Sequence, residues 1–196
     1  MSILTIAGGQ SVTDYEGSDL AILAKACFTF GVNNSGFIWP CDVIVALDSE
    51  WIREYANDLR DLKRPIVTRD WGKALVGLGL DLIEVPNAIP YRLSGMCAVK
   101  LADTLASNSK SRSYAIGMDN TPGHYYNEES DCSKMVSHKD YESLRLSTTI
   151  NLGVHSKISC WPKVSKLPKN KKCAVTKAYR EISIAWLRGE ACKVLA

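Results

Sequence analysis

Two glycines and two polar residues follow an apolar run at the start of the chain. Gly8 and Gly9 end the run Ser2–Ala7, and Gln10 and Ser11 come next. A partly β-branched apolar run predicts a buried strand. Two adjacent glycines let the backbone turn sharply and let a ligand approach it closely. We therefore expect these four residues to form a ligand-binding turn.

Similar chemistry recurs at the ends of three later apolar runs. Asn33, Asp48 and Asp119 each follow such a run. An Asn side chain both donates and accepts hydrogen bonds, which suits a base or a sugar, and Asp48 could bind a ribose hydroxyl. Because the carboxyl ends of parallel strands share one edge of a sheet, these side chains are predicted to face one ligand.

Ser94 and Gly95 begin a helical pattern of apolar residues and predict a helix N-terminus that can bind an anion. Together with the glycine turn, this helix start favours a nucleotide phosphate as the ligand. Turns and helix caps use the same residue types, so a capping role stays open for Ser11, Asp48 and Ser94.

His138 is the candidate general base among the three histidines of the chain. It follows a polar loop over residues 120–137 and begins a predicted helix. A histidine with a pKa near neutrality can take a proton from a hydroxyl group. A solvated histidine or a helix cap is the alternative. No cluster of His, Asp and Glu has metal-ligand spacing, so no metal is expected.

Strands alternate with helices along most of the sequence, which predicts a Rossmann-like α/β fold with a largely parallel sheet and helices on both faces. The run Arg64–Thr68 predicts a fourth strand, and Glu50–Leu62 predicts one helix. Residues 1–168 are expected to form a nucleotide-binding domain. Residues 169–196 are expected to form a basic C-terminal helix that is packed on this domain or appended to it.

The C-terminal region is the basic part of the chain. Between His155 and the end there are ten Lys or Arg and two Glu. Residues 157–193 could therefore contact nucleic acid or an acidic partner, or could simply form a solvated surface. The terminal helix is predicted over Ala174–Val194. Its expected apolar face consists of Val175, Ala178, Ile182, Ala185 and Trp186.

Composition narrows the class of protein further. The seven cysteines are scattered, and none forms a CxxC pair, which argues against a zinc site and a disulfide framework. We expect them to be free and to pack as small hydrophobes. There is no run of about 18 apolar residues and no secretory signal pattern. These features predict a cytoplasmic protein that does not contact a membrane.

Several common catalytic motifs are missing from the sequence. The glycines do not form the GxGxxG dinucleotide fingerprint, and no GK[ST] follows them as in a P-loop. There is also no GxSxG elbow of a serine hydrolase. Chemistry that depends on these motifs is therefore disfavoured.

The order of the polar motifs resembles that of bacterial sialyltransferases that use CMP-sialic acid (glycosyltransferase family 42). The resemblance covers roughly residues 3–168. The same core is similar to the motility-accessory and hydroxymethylpterin pyrophosphokinase family and to phage proteins of this size. The matching segments are Ala7–Ser11, Val32–Asn33, Leu47–Asp48, Leu93–Val99, Ile116–Asp119, Tyr125–Tyr126, His138 and Ile158–Pro162.

The resemblance implies a role for each matched segment. The glycine turn and the Ser94–Gly95 helix start would hold the phosphate region and the sugar carboxylate of the donor, and Asn33 would contact the nucleotide and sugar. Tyr125 and Tyr126 would support the leaving phosphate, and His138 would be the base. The chain departs from the family in its glycine turn, which lacks the usual Asn and Pro, and in its short loop before the histidine.

These features together predict a metal-independent glycosyltransferase that moves a sugar from a nucleotide-activated donor to an acceptor hydroxyl. No cofactor is expected besides this donor. One alternative is a non-catalytic nucleotide-binding factor of a phage, which would sequester a signal or contact the host. Another is a pyrophosphokinase, which would need Mg²⁺ held by acids such as Asp48 and Asp119.

Overall fold

The structure is a computed structural model that describes residues 2–9, 12–13, 17–85, 93–118 and 175–195. Within these ranges, six strands form one sheet in which every neighbouring pair is parallel, in the order β5-β4-β3-β2-β1-β6. This confirms the predicted α/β, Rossmann-like fold. The strands are Ser2–Ile6 (β1), Phe28–Val32 (β2), Val43–Val45 (β3), Ile66–Arg69 (β4), Leu82–Val85 (β5) and Arg112–Ile116 (β6).

Helices connect the strands and cover both faces of the sheet. Strand alternation sends Ile3, Phe30 and Val45 to one face, where the core also includes side chains of α5 and α6. Leu4 and Ile44 point to the other face, which is covered by α1, α3 and α4. The helices are Gly17–Ala26 (α1), Ser35–Ile38 (α2), Ser49–Glu54 (α3), Ala56–Leu62 (α4), Ser94–Asn108 (α5) and Lys177–Leu195 (α6), and Gly72–Leu75 is a short 3₁₀ helix.

The helix predicted over residues 50–62 is instead two helices, α3 and α4, that meet at Tyr55. The backbone of Tyr55 has φ −100° and ψ 18° and so leaves the helical conformation. Its ring packs against Trp51 and Phe37, with ring centroids 5.1 and 5.5 Å away. This aromatic cluster stabilises the bend between the two helices, and a propensity pattern along the sequence cannot indicate such a contact.

The expected apolar face of the terminal helix is correct only in part: Val175 is buried in the core and Trp186 packs against it. Ile182 is 67% exposed, and Ala178 and Ala185 are exposed as well. The buried side of α6 instead carries Tyr179, Ser183, Leu187 and Ala191. The helix is therefore rotated relative to the prediction, and polar contacts hold it in this orientation.

Those contacts tie α6 to the ends of three other elements. The hydroxyl of Tyr179 donates to Ser109 Oγ at the end of α5, over 2.9 Å. Arg180 forms an ion pair with Asp42, just before β3. Arg188 forms a 2.6 Å ion pair with Asp81, just before β5. Two arginines of the basic segment 157–193 are therefore used within the protein.

Three of the cysteines are free, as predicted. Cys27, Cys41 and Cys97 are all buried. Burial raises the pKa of the Cys27 thiol to about 11, so this thiol is protonated at neutral pH and packs as a small apolar group. Among the described helices, none has the length and apolar composition that a membrane span requires.

The ion pair between Arg180 and Asp42 should be worth more than the pair between Arg188 and Asp81. The first pair is mostly buried, with side chains 25% and 14% exposed, whereas the second is about half exposed. Replacing one member of a buried pair leaves an unpaired buried charge. We expect Arg180→Leu to lower the free energy of unfolding by about 2 to 3 kcal/mol at pH 7, and the control Arg188→Leu by less than about 1 kcal/mol.

The cost of Arg180→Leu should fall in acid. Burial raises the pKa of Asp42 above its ordinary value, although the Thr29 N–H and Arg180 oppose the shift. A carboxyl group whose pKa is raised by folding stabilises the folded state when it is protonated. This contribution to stability is lost as the pH rises through the pKa that the group has in the folded state. Urea unfolding at several pH values measures this. A cost that stays constant down to pH 3 would contradict it.

Candidate functional site

The order of the strands reverses next to β1. Strands β2 to β5 follow one another on one side of β1, whereas β6 lies on its other side. Open α/β sheets bind their ligands outside the carboxyl ends of the strands at such a reversal.

The ends of β1 and β6 remain in close contact beyond the strands themselves. The N–H of Ala7 donates to Ile116 O over 2.9 Å, and the N–H of Gly9 donates to Gly117 O over 2.8 Å. Gly117 has φ +69°, and a Cβ atom there would lie 2.4 Å from the Ala7 carbonyl oxygen. Glycine is therefore required at position 117 on two grounds, backbone conformation and space.

This pairing changes the interpretation of the glycine turn. We expected the backbone N–H groups of Gly8 and Gly9 to face a phosphate. The Gly9 N–H is instead used by β6, so it is directed into the sheet. Gly9 therefore does not contribute its N–H as a donor for an anion.

The N-terminus of α5 lies at the same edge and supplies such donors. The Ser94 hydroxyl oxygen accepts a 3.0 Å hydrogen bond from Leu47 N at the end of β3. Gly95 lies over the ends of β1 and β6, because a Cβ there would be 3.9 Å from Ala7 Cβ and 3.0 Å from Met118 Sδ. Two consecutive residues thus fix the helix start across the carboxyl ends of three strands.

Ser94 fixes the helix without capping it. Leu93 occupies the N-cap position and makes no side-chain cap bond. The first bond of the helix runs from Cys97 N to Leu93 O over 3.1 Å. The N–H groups of Ser94, Gly95 and Met96 precede it and have no partner among the described residues. A helix of 15 residues with open first-turn donors attracts an anion.

Asn33 presents an unpaired acceptor at the end of β2. Its backbone has φ +48°, and its N–H donates to Val45 O over 3.2 Å. Its side-chain Oδ1 atom is buried and has no hydrogen-bond partner in the described part of the chain. A buried acceptor without a partner costs about 1 to 3 kcal/mol. A ligand that donates a hydrogen bond to this atom would recover that energy.

The residues around Asn33 are tied to the same edge. The Ser35 hydroxyl donates to Ala7 O over 3.1 Å, which joins α2 to the end of β1. Trp51 Nε1–H donates to Asn34 Oδ1 over 2.7 Å. Neither Ser35 nor Trp51 was predicted to be part of the site, because nothing in their local sequence indicates that α2 and α3 fold back over the strand ends.

Asp48 has the capping role that was left open for it. Its Oδ1 atom accepts from the Glu50 N–H at 2.8 Å, at the start of α3. The side chain is exposed at the end of β3. A role in ribose binding is not needed to explain this aspartate.

Several predicted site residues lie outside the described residues. These are Gln10, Ser11, Asp119, Tyr125, Tyr126 and the candidate base His138, together with the matching segment Ile158–Pro162. Within the described ranges, no three His, Cys, Asp or Glu side chains cluster as a metal site would require.

A surface hollow of about 300 Å³ lies at the opposite edge of the sheet, where β4 and β5 begin. Arg60 and Arg64 line this hollow, but both guanidinium groups hold the fold together. They donate to backbone carbonyl oxygens of Leu78 and Gly36 over 3.1 and 2.9 Å. The carboxyl edge, with its open donors and its unpaired acceptor, is therefore the better candidate site.

No protein-family model, curated protein or solved structure matches the chain in comparisons with known proteins. The functional argument accordingly depends on the chemistry of the site itself.

Asn33→Gly should leave the stability of the fold unchanged or raise it. Glycine adopts φ +48° without strain, and the change removes a buried acceptor that lacks a partner. The matched control is Lys63→Gly, at an exposed residue with φ +51°, which tests the effect of backbone conformation alone. Urea unfolding of both variants measures the difference. A loss of about 2 kcal/mol or more in Asn33→Gly would show that the side chain is structural.

Proposed function

We propose that the chain binds a nucleotide at the carboxyl edge of its sheet and transfers a sugar from a nucleotide-activated donor to an acceptor hydroxyl. The nucleotide phosphate would accept hydrogen bonds from the first-turn N–H groups of α5. The base or sugar would donate one to Asn33 Oδ1. These two groups are complementary to a nucleotide. The open N–H groups of α5 can bind its phosphate, and the buried Oδ1 atom of Asn33 can accept a hydrogen bond from its base or sugar.

One observation supports this proposal above the others. The N–H groups of Ser94, Gly95 and Met96 have no partner among the described residues, and Gly95 lies where the ends of β1 and β6 meet. Open α/β sheets bind ligands at this position, where the strand order reverses, and a helix N-terminus binds phosphate. Neither feature depends on the other.

The same arrangement suits the departure of a nucleotide phosphate. In the proposed reaction, His138 takes the proton of an acceptor hydroxyl, and the hydroxyl oxygen attacks the anomeric carbon of the donor. The bond from that carbon to the phosphate oxygen breaks, and its electron pair leaves with the nucleotide. Oriented N–H groups stabilise the negative charge that develops on the phosphate, without the aid of a metal.

The reaction itself is supported by the resemblance of the sequence motifs to glycosyltransferases, and the binding step by the described residues. Because one fold hosts many reactions, these two parts of the proposal need separate tests.

The binding step predicts a metal-independent thermal shift with nucleotides. At a hundredfold excess over its dissociation constant, a ligand adds about 2.7 kcal/mol to the stability of the folded state. We expect one or more of CMP, CDP, UDP and GDP to raise the melting temperature equally with and without Mg²⁺. Asn33→Gly should reduce the shift while keeping the melting temperature of the free protein. A shift that requires both ATP and Mg²⁺ would instead favour a pyrophosphokinase.

The catalytic step predicts that His138→Ala lowers turnover by about two to four orders of magnitude, because the general base is lost. Nucleotide binding should be unchanged in this variant. His155→Ala is the matched control, since it removes a histidine without an assigned role. Turnover is measured as release of free nucleotide from the donor. Full activity of His138→Ala would rule out this base, and nucleotide binding without turnover in the wild type would indicate a non-catalytic binding protein.

A further inference from the structure

We propose that Asn33 selects the base of the bound nucleotide, because its side-chain oxygen accepts a hydrogen bond from an exocyclic amino group of the kind that cytosine and adenine carry. This inference rests on the proposed nucleotide-binding function and names the class of base that the site takes. It assigns to the base the contact with Asn33 that a base or a sugar could make.

The backbone of Asn33 is held in place by the protein on both sides. Its N–H donates to Val45 O over 3.2 Å, and its carbonyl oxygen accepts from Gly36 N over 2.8 Å. Its φ of +48° lies in the left-handed region, which Asn adopts more readily than most residues. The side chain therefore starts from a fixed point at the end of β2, as a group that discriminates between ligands must.

The side-chain oxygen of Asn33 is the atom that points to a ligand. Oδ1 is buried and has no hydrogen-bond partner within the described part of the chain, while the side chain as a whole is half-buried. A phosphate monoester is largely deprotonated at neutral pH and then only accepts hydrogen bonds. Oδ1 therefore needs a donor from the base or from the sugar.

The polar groups around Asn33 are too few to bind a sugar. Asn34 Oδ1 already accepts from Trp51 Nε1–H over 2.7 Å, and the Ser35 hydroxyl donates to Ala7 O over 3.1 Å. A sugar has several hydroxyl groups, and each loses free energy when it is buried without a partner. The edge of a base needs one acceptor and one donor, which a single Asn amide supplies.

The surface beside Asn34 is aromatic. Trp51, which bonds to Asn34, packs against Phe37 with ring centroids 5.5 Å apart. Both rings are half-buried, so part of each reaches the surface. An apolar surface with a small number of placed polar groups is typical of sites that bind flat organic ligands. This surrounding favours a base over a sugar.

The depth of Oδ1 selects among the bases. A buried atom is reached only by a donor that projects from the ligand. The exocyclic amino groups of cytosine and adenine project in this way, and the ring nitrogen beside each can accept from the Asn33 Nδ2–H group. Asn pairs with adenine through such a donor and acceptor in other complexes. Uracil and hypoxanthine carry a carbonyl group at the same place, which would bring a second acceptor toward Oδ1.

The test compares pairs of nucleotides that differ in this group. Isothermal titration calorimetry of the full chain uses the 5′-monophosphates of cytidine and uridine, of adenosine and inosine, and of guanosine. We expect the wild type to bind the amino member of its preferred pair about tenfold to a hundredfold more tightly than the carbonyl member. Asn33→Gly should reduce this ratio to less than about twofold, because the amide that reads the base is lost.

The matched control is Lys63→Gly, which introduces glycine at a similar positive φ on an exposed residue. This variant should keep the wild-type ratio. Urea unfolding establishes that both variants are folded, and the comparison of the two pairs in the wild type does not depend on any variant.

Each outcome separates this inference from the proposed function. If the wild type binds monophosphates but does not distinguish the members of either pair, or prefers a carbonyl member or guanosine monophosphate, the inference is wrong and the proposed function stands. If Asn33→Gly keeps the wild-type ratio, another group selects the base, and the inference is also overturned. If the wild type binds none of the five compounds, both the inference and the proposed function are wrong.

Discussion

The close approach of Gly117 to the Ala7 carbonyl oxygen is the constraint on which the carboxyl edge of this sheet depends. It keeps the chain after β6 against the chain after β1, so the two segments continue their pairing beyond the strands. A side chain at position 117 would force them apart. The Ser35 hydroxyl donates to the same Ala7 carbonyl oxygen, which joins the start of α2 to the end of β1.

The start of α5 is positioned by the same strand ends. Ser94 accepts a bond from Leu47, and Gly95 lets the helix approach Ala7 and Met118 closely. Small residues are used where the helix meets the sheet, and its first N–H groups are left open. The fold thus builds a positively polarised helix end, and the Met118 side chain packs against Gly95. Donors that are already oriented in this way bind an anion without a reorganisation cost.

The sequence predicted the features that depend on local pattern. Apolar runs such as Val43–Val45 are buried in the parallel sheet, and the Asp48 cap follows from residue type alone. The features that depend on tertiary contact were not predictable. The rotation of α6 is fixed by ion pairs to Asp42 and Asp81, and the pairing of Gly9 with Gly117 joins residues over a hundred positions apart. The fourth strand was predicted to end at Thr68, whereas β4 ends at Arg69.

The central claim is that a nucleotide phosphate binds the first turn of α5, and an NMR titration tests it most directly. The ¹⁵N-labelled chain is titrated with the monophosphate that gives the largest thermal shift. The account predicts that the amide resonances of Ser94, Gly95 and Met96 change most, because their N–H groups gain a charged partner. The claim is contradicted if saturation with the nucleotide leaves these three amide resonances unchanged and shifts only the resonances of residues around the hollow lined by Arg60 and Arg64.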